Sequence, residues 1–322
     1  GDGSTPSITL DGDTDMQPDL VWIKNRDQTD SHCLFDAVRG AAEVLASDSN
    51  AAETTDADTL TSFDSDGFAL GADVKVNTDT EAYVAWCWKA NGSGSSNEDG
   101  SINTTKTSAN TTSGFSINTF TGSGSAATIG HGLGAVPRMI ISKDYGGSNS
   151  WYVYHASLGN THAMRFDTND AKDDSTGYWN DTTPTSSVYT VGDNSGTNDT
   201  DTMLSYVFAD VQGFSKFGGY TGNGNADGTF VYTGFKPAYF LTKRLNSAQS
   251  WVLFDNKRNP SNLTDNIIFT YLNSAEQVDT TPNIDLLSNG IKIRHSDDSI
   301  NGSEPYIYMA FAEAPFVNSN GV

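Results

Sequence analysis

The first residues with the right types and spacing for chemistry are acidic. The run LDGDTD places Asp11, Asp13 and Asp15 at alternate positions. Three hard oxygen donors at that spacing suit a calcium ion held in a loop. However, a calcium loop opening at Asp11 would want glycine at its sixth position and a bidentate glutamate at its twelfth, and Met16 and Trp22 stand there. A solvated acidic turn accounts for the same carboxylates, and no other cofactor is expected. The five histidines, His32, His131, His155, His162 and His295, form no HExxH pattern and no i, i+4 pair, so no catalytic metal is expected. His155 and His162 flank a Gly-Asn turn that would bring them together, although surface histidines are the simpler reading. His131 lies in a Gly-rich turn, GHGLG, with no helix behind it to cradle a phosphate. There is no GxSxG nucleophile elbow. Aspartates are too common for a glycosidase pair to be excluded by count, yet no glutamate recurs in a motif. No catalytic residue is therefore assigned, and the chain is read as a non-enzyme.

Cys33 and Cys87 both fall in expected strands of the first repeat. A single bridge between them is compatible with that placement, as are two small buried apolar side chains. For binding, the aromatics Tyr145, Tyr152, Tyr154, Tyr178 and Trp179 lie among Asn, Asp and Gly. Such rings can stack on sugars while neighbouring amides bind hydroxyls, although strand alternation sends about half of them inward. Asn91, Asn103, Asn110, Asn180, Asn198, Asn262 and Asn301 begin N-x-[ST] sequons, which carry meaning only in a glycosylating host.

The elements that must position these residues recur. Residues 136–155 read VPRMIISKDYGGSNSWYVYH, residues 236–255 read KPAYFLTKRLNSAQSWVLFD, and residues 17–36 read QPDLVWIKNRDQTDSHCLFD. Pro137 and Pro237, Lys143 and Lys243, and Trp151 and Trp251 are each 100 residues apart. The first copy has Lys24 in the lysine position and, on this reading, Cys33 in the tryptophan position. Each copy closes on a related block: AYVAWCWKA at 82–90, SYVFADV at 205–211 and IYMAFAEAP at 307–315. An opening block, GFSINTFTGSGSAATIGHGLGAVP at 114–137 and GFSKFGGYTGNGNADGTFVYTGFKP at 213–237, survives in the first copy only as its tail, GDGSTPSITLDGDTDMQP at 1–18, so its opening strand is expected upstream of Gly1. Both ends read as cuts in a longer polypeptide.

Apolar runs are short, rich in Val, Ile, Tyr, Phe and Trp, and bounded by Gly, Asn, Asp and Ser. Asp66-Gly67 and Asn289-Gly290 sit between apolar flanks as hairpin turns. This pattern predicts an all-β chain of three tandem β-sandwich, jelly-roll-like modules: 1–90 (first strand missing), a flexible polar linker at 91–112, then 113–211 and 212–318. One short helix is expected at 37–46. The expected cores contain Trp22, Phe35, Trp86 and Trp88; then Ile140, Trp151, Val153, Phe166, Trp179 and Phe208; then Phe240, Trp251, Leu253, Ile268, Ile291 and Phe311.

The 322 residues carry 18 Lys and Arg against 40 Asp and Glu, a net charge of −22. That surface excludes a phosphate-tracking nucleic-acid binder and an anionic-membrane binder, and it suits salty surroundings. No run reaches the ~20 apolar residues of a membrane helix.

The blocks GFS-x4-YTG, P-x5-K, SW-x-VFD-like, FDSDGF and YMAFAEAPFVNSNGV resemble a module of virion proteins of marine tailed phages, found in tandem near the C-terminus of tail-fibre or appendage proteins. The resemblance covers nearly the whole chain, and its motifs are strands and turns. It implies a structural appendage protein on the virion surface, outside the cell, that spaces and displays loops for host-surface or glycan adhesion. The expected partners are other virion proteins and further copies of the chain, a trimer being natural for a fibre. The alternatives are a capsid decoration or head-fibre protein, and a carbohydrate-binding module or hydrolase of a secreted surface protein.

Overall fold

The computed structural model describes residues 1–12, 14–279 and 283–314. Module one holds β1 (Ser7–Thr9), β2 (Leu20–Asn25), β3 (Cys33–Asp36), β4 (Gly40–Ala46), β5 (Thr54–Thr55), β6 (Leu60–Asp64), β7 (Gly67–Leu70), α1 (Val74–Asn77) and β8 (Tyr83–Trp88). Module two holds β9 (Lys106–Asn110), β10 (Phe115–Thr121), β11 (Ala127–Gly130), β12 (Met139–Asp144), β13 (Tyr152–His155), β14 (His162–Arg165), β15 (Asp173–Asp174), α2 (Thr176–Trp179), β16 (Val188–Val191), α3 (Ser195–Asn198) and β17 (Thr202–Phe208). Module three holds β18 (Ser215–Thr221), β19 (Phe230–Tyr232), β20 (Pro237–Arg244), β21 (Trp251–Asp255), β22 (Asn266–Phe269), β23 (Gln277–Val278), β24 (Ile284–Leu287), β25 (Gly290–Ile293) and β26 (Pro305–Ala312).

Each module is an antiparallel sandwich. Its main sheets run β5-β4-β3-β2-β8, β15-β14-β13-β12-β17-β10-β9 and β18-β26-β20-β21-β22-β23. Smaller sheets, β1-β7-β6, β11-β16 and β19-β25-β24, cover one face of each. Hairpins form at both expected places, one residue earlier than the Asp-Gly and Asn-Gly pairs imply: Ser65-Asp66 and Ser288-Asn289 are the turn residues, with Asp64 opposite Gly67 and Leu287 opposite Gly290.

Period-two alternation sends successive side chains of a strand to opposite faces, and here both faces are buried. Val21 and Ile23 of β2 enter module one's own outer core, while Leu20 and Trp22 point the other way. Ile140 and Phe240 likewise enter the outer cores of modules two and three, whereas Ile141 and Leu241 turn inward. The inward residues of all three modules form one shared central core with Trp86, Trp151, Trp251 and Phe311. The modules thus close into a ring. All sixteen residues expected in cores are buried.

Three sets of repeat-related hydrogen bonds lock the ring. In the first, His32 Nε2 meets Phe269 O of module three at 3.2 Å. Trp151 Nε1 donates to Ala46 O of module one at 2.9 Å, and Trp251 Nε1 donates to Arg165 O of module two at 2.8 Å. In the second, Tyr206 Oη donates to Asp36 at 2.9 Å, Trp86 Nε1 donates to Asp255 at 3.1 Å, and His155 Nε2 meets Tyr308 O at 3.1 Å. In the third, the amides of Glu53, Lys172 and Glu276 donate to Tyr145 O, Leu245 O and Arg26 O of the next module. The buried lysines at the repeat position grip the turn that follows: Lys24 Nζ reaches Gln28 O and Lys143 Nζ reaches Gly147 O, both at 3.0 Å. Burial pushes the Lys143 ammonium down to about 8 and that of Lys243 down to about 7.

Three expectations change, and one open alternative is resolved. The 37–46 segment is a turn at 37–39 leading into strand β4 rather than a helix, because β4 pairs with β3 and Ala42 takes a φ of 68°. The polar 91–112 tract is laid onto module two instead of spanning free. β9 pairs with β10, and bridges join Ser95 to Thr107 and Ile102 to Ile129, so backbone pairing orders it, with Ile102 and Ala109 packed against the outer core of module two. The strand register puts His32, not Cys33, at the tryptophan position, since Cys33 pairs with Ile23 as Tyr152 pairs with Ser142. Cys33 and Cys87 are both free thiols, and burial raises each to about 12.

Candidate functional site

The sandwich geometry turns most of the candidate sugar-stacking rings inward. Tyr152, Tyr154, Tyr178 and Trp179 belong to the outer core of module two, with Tyr154 and Trp179 edge to face at 5.9 Å. Tyr145 is half-buried against the shared core. Tyr152 and Tyr178 do line one polar pocket of about 310 Å³ with Arg165, Asp170 and Asp173. Only their edges reach it, since they are 9% and 4% exposed.

The histidines also go inward. His32, His131 and His155 are fully buried. His155 Nδ1 accepts the Ser157 amide, so Nε2 carries the proton offered to Tyr308 O. His32 Nδ1 accepts from Trp22 Nε1, leaving Nε2 to donate to Phe269 O. Burial holds His32 near 3 and His155 near 4, both as neutral imidazoles. His162 sits instead beside Thr161 and Asp174. Four of the sequon asparagines bond backbone through their side chains: Asn198 Nδ2 donates to Ser125 O and Gly192 O, Asn301 Nδ2 to Asn225 O and His295 O, and Asn262 Nδ2 to Leu286 O, while Asn110 Oδ1 accepts the Thr112 and Ser113 amides. Of the acidic triplet, Asp11 is ion-paired with Lys257 at 2.6 Å and Asp13 lies outside the described residues. Among the described residues no group of three or more His, Cys, Asp and Glu side chains is placed to hold a metal ion.

Among the described residues, the most exposed aromatic rings are Phe230 and Tyr232, at 43% and 58% exposure. They are the two ends of β19, whose central Val231 enters the outer core. Alternation therefore fixes both rings on one outer face. β25 supports them, and Gly290 is required there: a Cβ would lie 2.8 Å from Phe230 Cζ and 2.3 Å from Val231 O. Lys216 Nζ stands 4.8 Å from the centre of the Tyr232 ring and donates to Tyr232 O at 3.1 Å. That is a cation–π contact which holds the ring in place.

Beside the rings runs a cleft of about 410 Å³ between modules two and three. Its polar wall is the half-exposed pair Arg138 Nε and Asp210 Oδ2, 3.3 Å apart. Asp210 also accepts the Phe217 amide at 2.8 Å, and partial burial raises its carboxyl. Gly218 and Gly219 form the floor. A Cβ on Gly218 would strike Tyr308 Oη at 2.6 Å, so the floor is bare backbone. Asp210 is the one carboxylate among the lining residues. The arrangement offers an aromatic platform, a guanidinium, a carboxylate and open backbone, which together suit a hydroxyl-rich ligand with an apolar C–H face. Nothing in the YTGNGNADGTFVYTGFKP run distinguishes these two rings from core aromatics; the one available signal is their i, i+2 spacing around Val231.

The fold and this cleft define an acidic, all-β protein built from three interlocked sandwiches. Its sequence matches the model of a family described as a domain of unknown function (DUF7483) over residues 1–315, and the chain belongs to that family. No curated protein and no solved structure matches it.

Proposed function

We propose that this chain is a rigid display unit of a virion surface appendage, tail-fibre-like, whose outer face adheres to host-surface glycans. The observation that carries this reading is the Phe230–Tyr232 platform beside the Arg138–Asp210 pair; among the described residues these two are the exposed aromatic rings, the others being half-buried or buried. The closed ring supports it. A display unit must hold its outer loops in fixed geometry, and hydrogen bonds in three repeated sets restrain the modules against one another. Weak single contacts then gain strength through multiple copies on one particle. The acidic surface keeps such a unit soluble and non-sticky toward nucleic acid and anionic lipid.

The test is a glycan array and a whole-cell binding assay with the purified chain, in calcium and in chelator, alongside the Tyr232→Ala and Phe230→Ala variants. Saturable binding that drops at least about tenfold in each variant, with unchanged melting temperature, is expected for a stacked sugar. Binding that survives both substitutions overturns the platform. Absence of any cell or glycan binding, with retention on capsid shells, moves the chain to a capsid decoration role.

A further inference from the structure

The three modules differ at one edge. In module two, β10 pairs with β17 over seven residues, and in module three β18 pairs with β26 over seven. The equivalent strand of module one, β8, ends its sheet and pairs only with β2 among the described residues. Its burial shows the gap. Every residue of β17 after the first is buried, whereas Ala85 of β8 is exposed and Tyr83, Val84 and Cys87 are half-buried. An open, apolar strand edge is a template for another strand.

Beside that edge lies an apolar groove of about 290 Å³, lined by Trp86, Trp88, Phe214, Tyr239 and Phe311. Its far wall is the Asp255–Lys257 turn of module three. In module two the same place is filled: Phe115 and Ile117 of β10 stand opposite Phe208 and Tyr206 and complete the shared core. In module three, Phe217 of β18 stands opposite Met309. Strand register makes Trp86, Tyr206 and Met309 equivalent.

The entry point is also set. The Gly122 amide donates to Asp201 O and the Gly222 amide to Glu304 O, where β10 and β18 end; the Gly1 nitrogen donates to the equivalent Glu81 O. One residue on, the amides of Asp2, Ser123 and Asn223 donate to the repeated side chains Asn77, Asn198 and Asn301. A strand joined to the Gly1 nitrogen would therefore run down the β8 edge in the register that β10 and β18 use.

We propose that the β8 edge and its groove are an acceptor for a seven-residue antiparallel strand of the same polypeptide, joined to Gly1, with apolar side chains opposite Trp88 and Trp86. This is strand addition: backbone hydrogen bonds give affinity and the groove selects alternate side chains. The strand completes module one and seals the ring on its open side.

The test fuses FSINTFT, the sequence of β10, directly onto Gly1, with a scrambled seven-residue fusion and the unfused chain as controls. Amide exchange at β8 is expected to slow at least about tenfold in the FSINTFT fusion alone, and its melting temperature to rise by about 5 °C. Tryptophan emission should shift to the blue as Trp86 and Trp88 lose water. The free peptide GFSINTFT, titrated into the unfused chain, should give the same protection at saturation. Equal exchange in both fusions overturns the proposal. Protection of β8 in the unfused chain that grows with protein concentration, with dimers on sedimentation, also overturns it, in favour of edge-to-edge pairing between copies.

Discussion

The joint between modules two and three is built differently from the other two, although all three occupy the same place in the repeat. At the joints of module one with two and of three with one, a buried aspartate takes the hydrogen bond of an aromatic donor: Asp36 from Tyr206, Asp255 from Trp86. Each aspartate is neutralised by the arginine three residues on. Arg39 Nε lies 2.6 Å from Asp36 and Arg258 Nε 2.6 Å from Asp255, and both guanidiniums reach a second carboxylate, Glu53 or Glu276. At the third joint the equivalent donor position holds Met309, which has no proton to give. There the aspartate is replaced by His155, which donates to the neighbouring Tyr308 carbonyl, and the arginine by Leu158 in the shared core. A buried polar group must find a partner of opposite hydrogen-bonding sense. When the partner changes from donor to acceptor, the residue facing it changes from acceptor to donor, and the compensating charge becomes unnecessary.

The sharpest way to break the charged joints is to remove one member of an ion pair. Arg39→Met leaves Asp36 and Glu53 without their cation in a buried site, and a loss of about 3–5 kcal/mol is expected in urea unfolding. A loss under about 1 kcal/mol would mean that the joint is not buried in solution. Acid should break the bonds made by neutral histidines instead, His155 at the uncharged joint and His32 at the joint of modules one and three. The folded values of His155, near 4, and of His32, near 3, lie below the ordinary 6.5, so the unfolded chain binds more protons between them. Their contribution is fully present above pH 6.5 and is lost as pH falls toward 4 and 3. Between pH 6.5 and 4.5 each should cost on the order of 2–3 kcal/mol, and His155→Gln should flatten that limb of the stability profile; an unchanged slope in the variant would remove His155 from the account.

The donor–acceptor rule itself is sharpened by a swap. His155→Asp places a carboxylate against the Tyr308 carbonyl, and Met309→Tyr supplies the hydroxyl that Tyr206 supplies elsewhere. A double-mutant cycle should give a favourable coupling of about 1–2 kcal/mol. Additive single effects would show that the two positions do not sense each other. The smallest expected effect tests the joint between modules two and one at its tryptophan. Trp151→Phe removes the donor to Ala46 O and Ser49 O, leaving partly buried carbonyls short of a partner, for about 1 kcal/mol. His32, already the smaller donor at the same repeat position, marks the ring as tolerant of that change in one of its three places.

Much of this architecture was legible in the chain. The repeat, the strand character, the hairpins before Gly67 and Gly290 and the buried residues follow from alternation and turn chemistry, which are local. Local patterning also misled. An Ala-rich run at 37–46 has helix propensity that pairing with β3 overrides, and the polar 91–112 tract shows little apolar signal because its order comes mostly from backbone hydrogen bonds. The candidate rings Tyr154 and Trp179 differ from Phe230 and Tyr232 in no composition a sequence displays. Alternation says that a strand has two faces, but the covering sheet decides which of them meets water.

By itself, then, the sequence determined three copies of one β-rich unit, their cores and the acidic surface, because periodicity, turn residues and charge act over a few neighbours. Only the tertiary structure decided that the three units share a central core and lock in a ring. An apolar inner face is the same in a separate module as in a closed ring, and the bonds that close this one end mostly on backbone carbonyls, which every residue has.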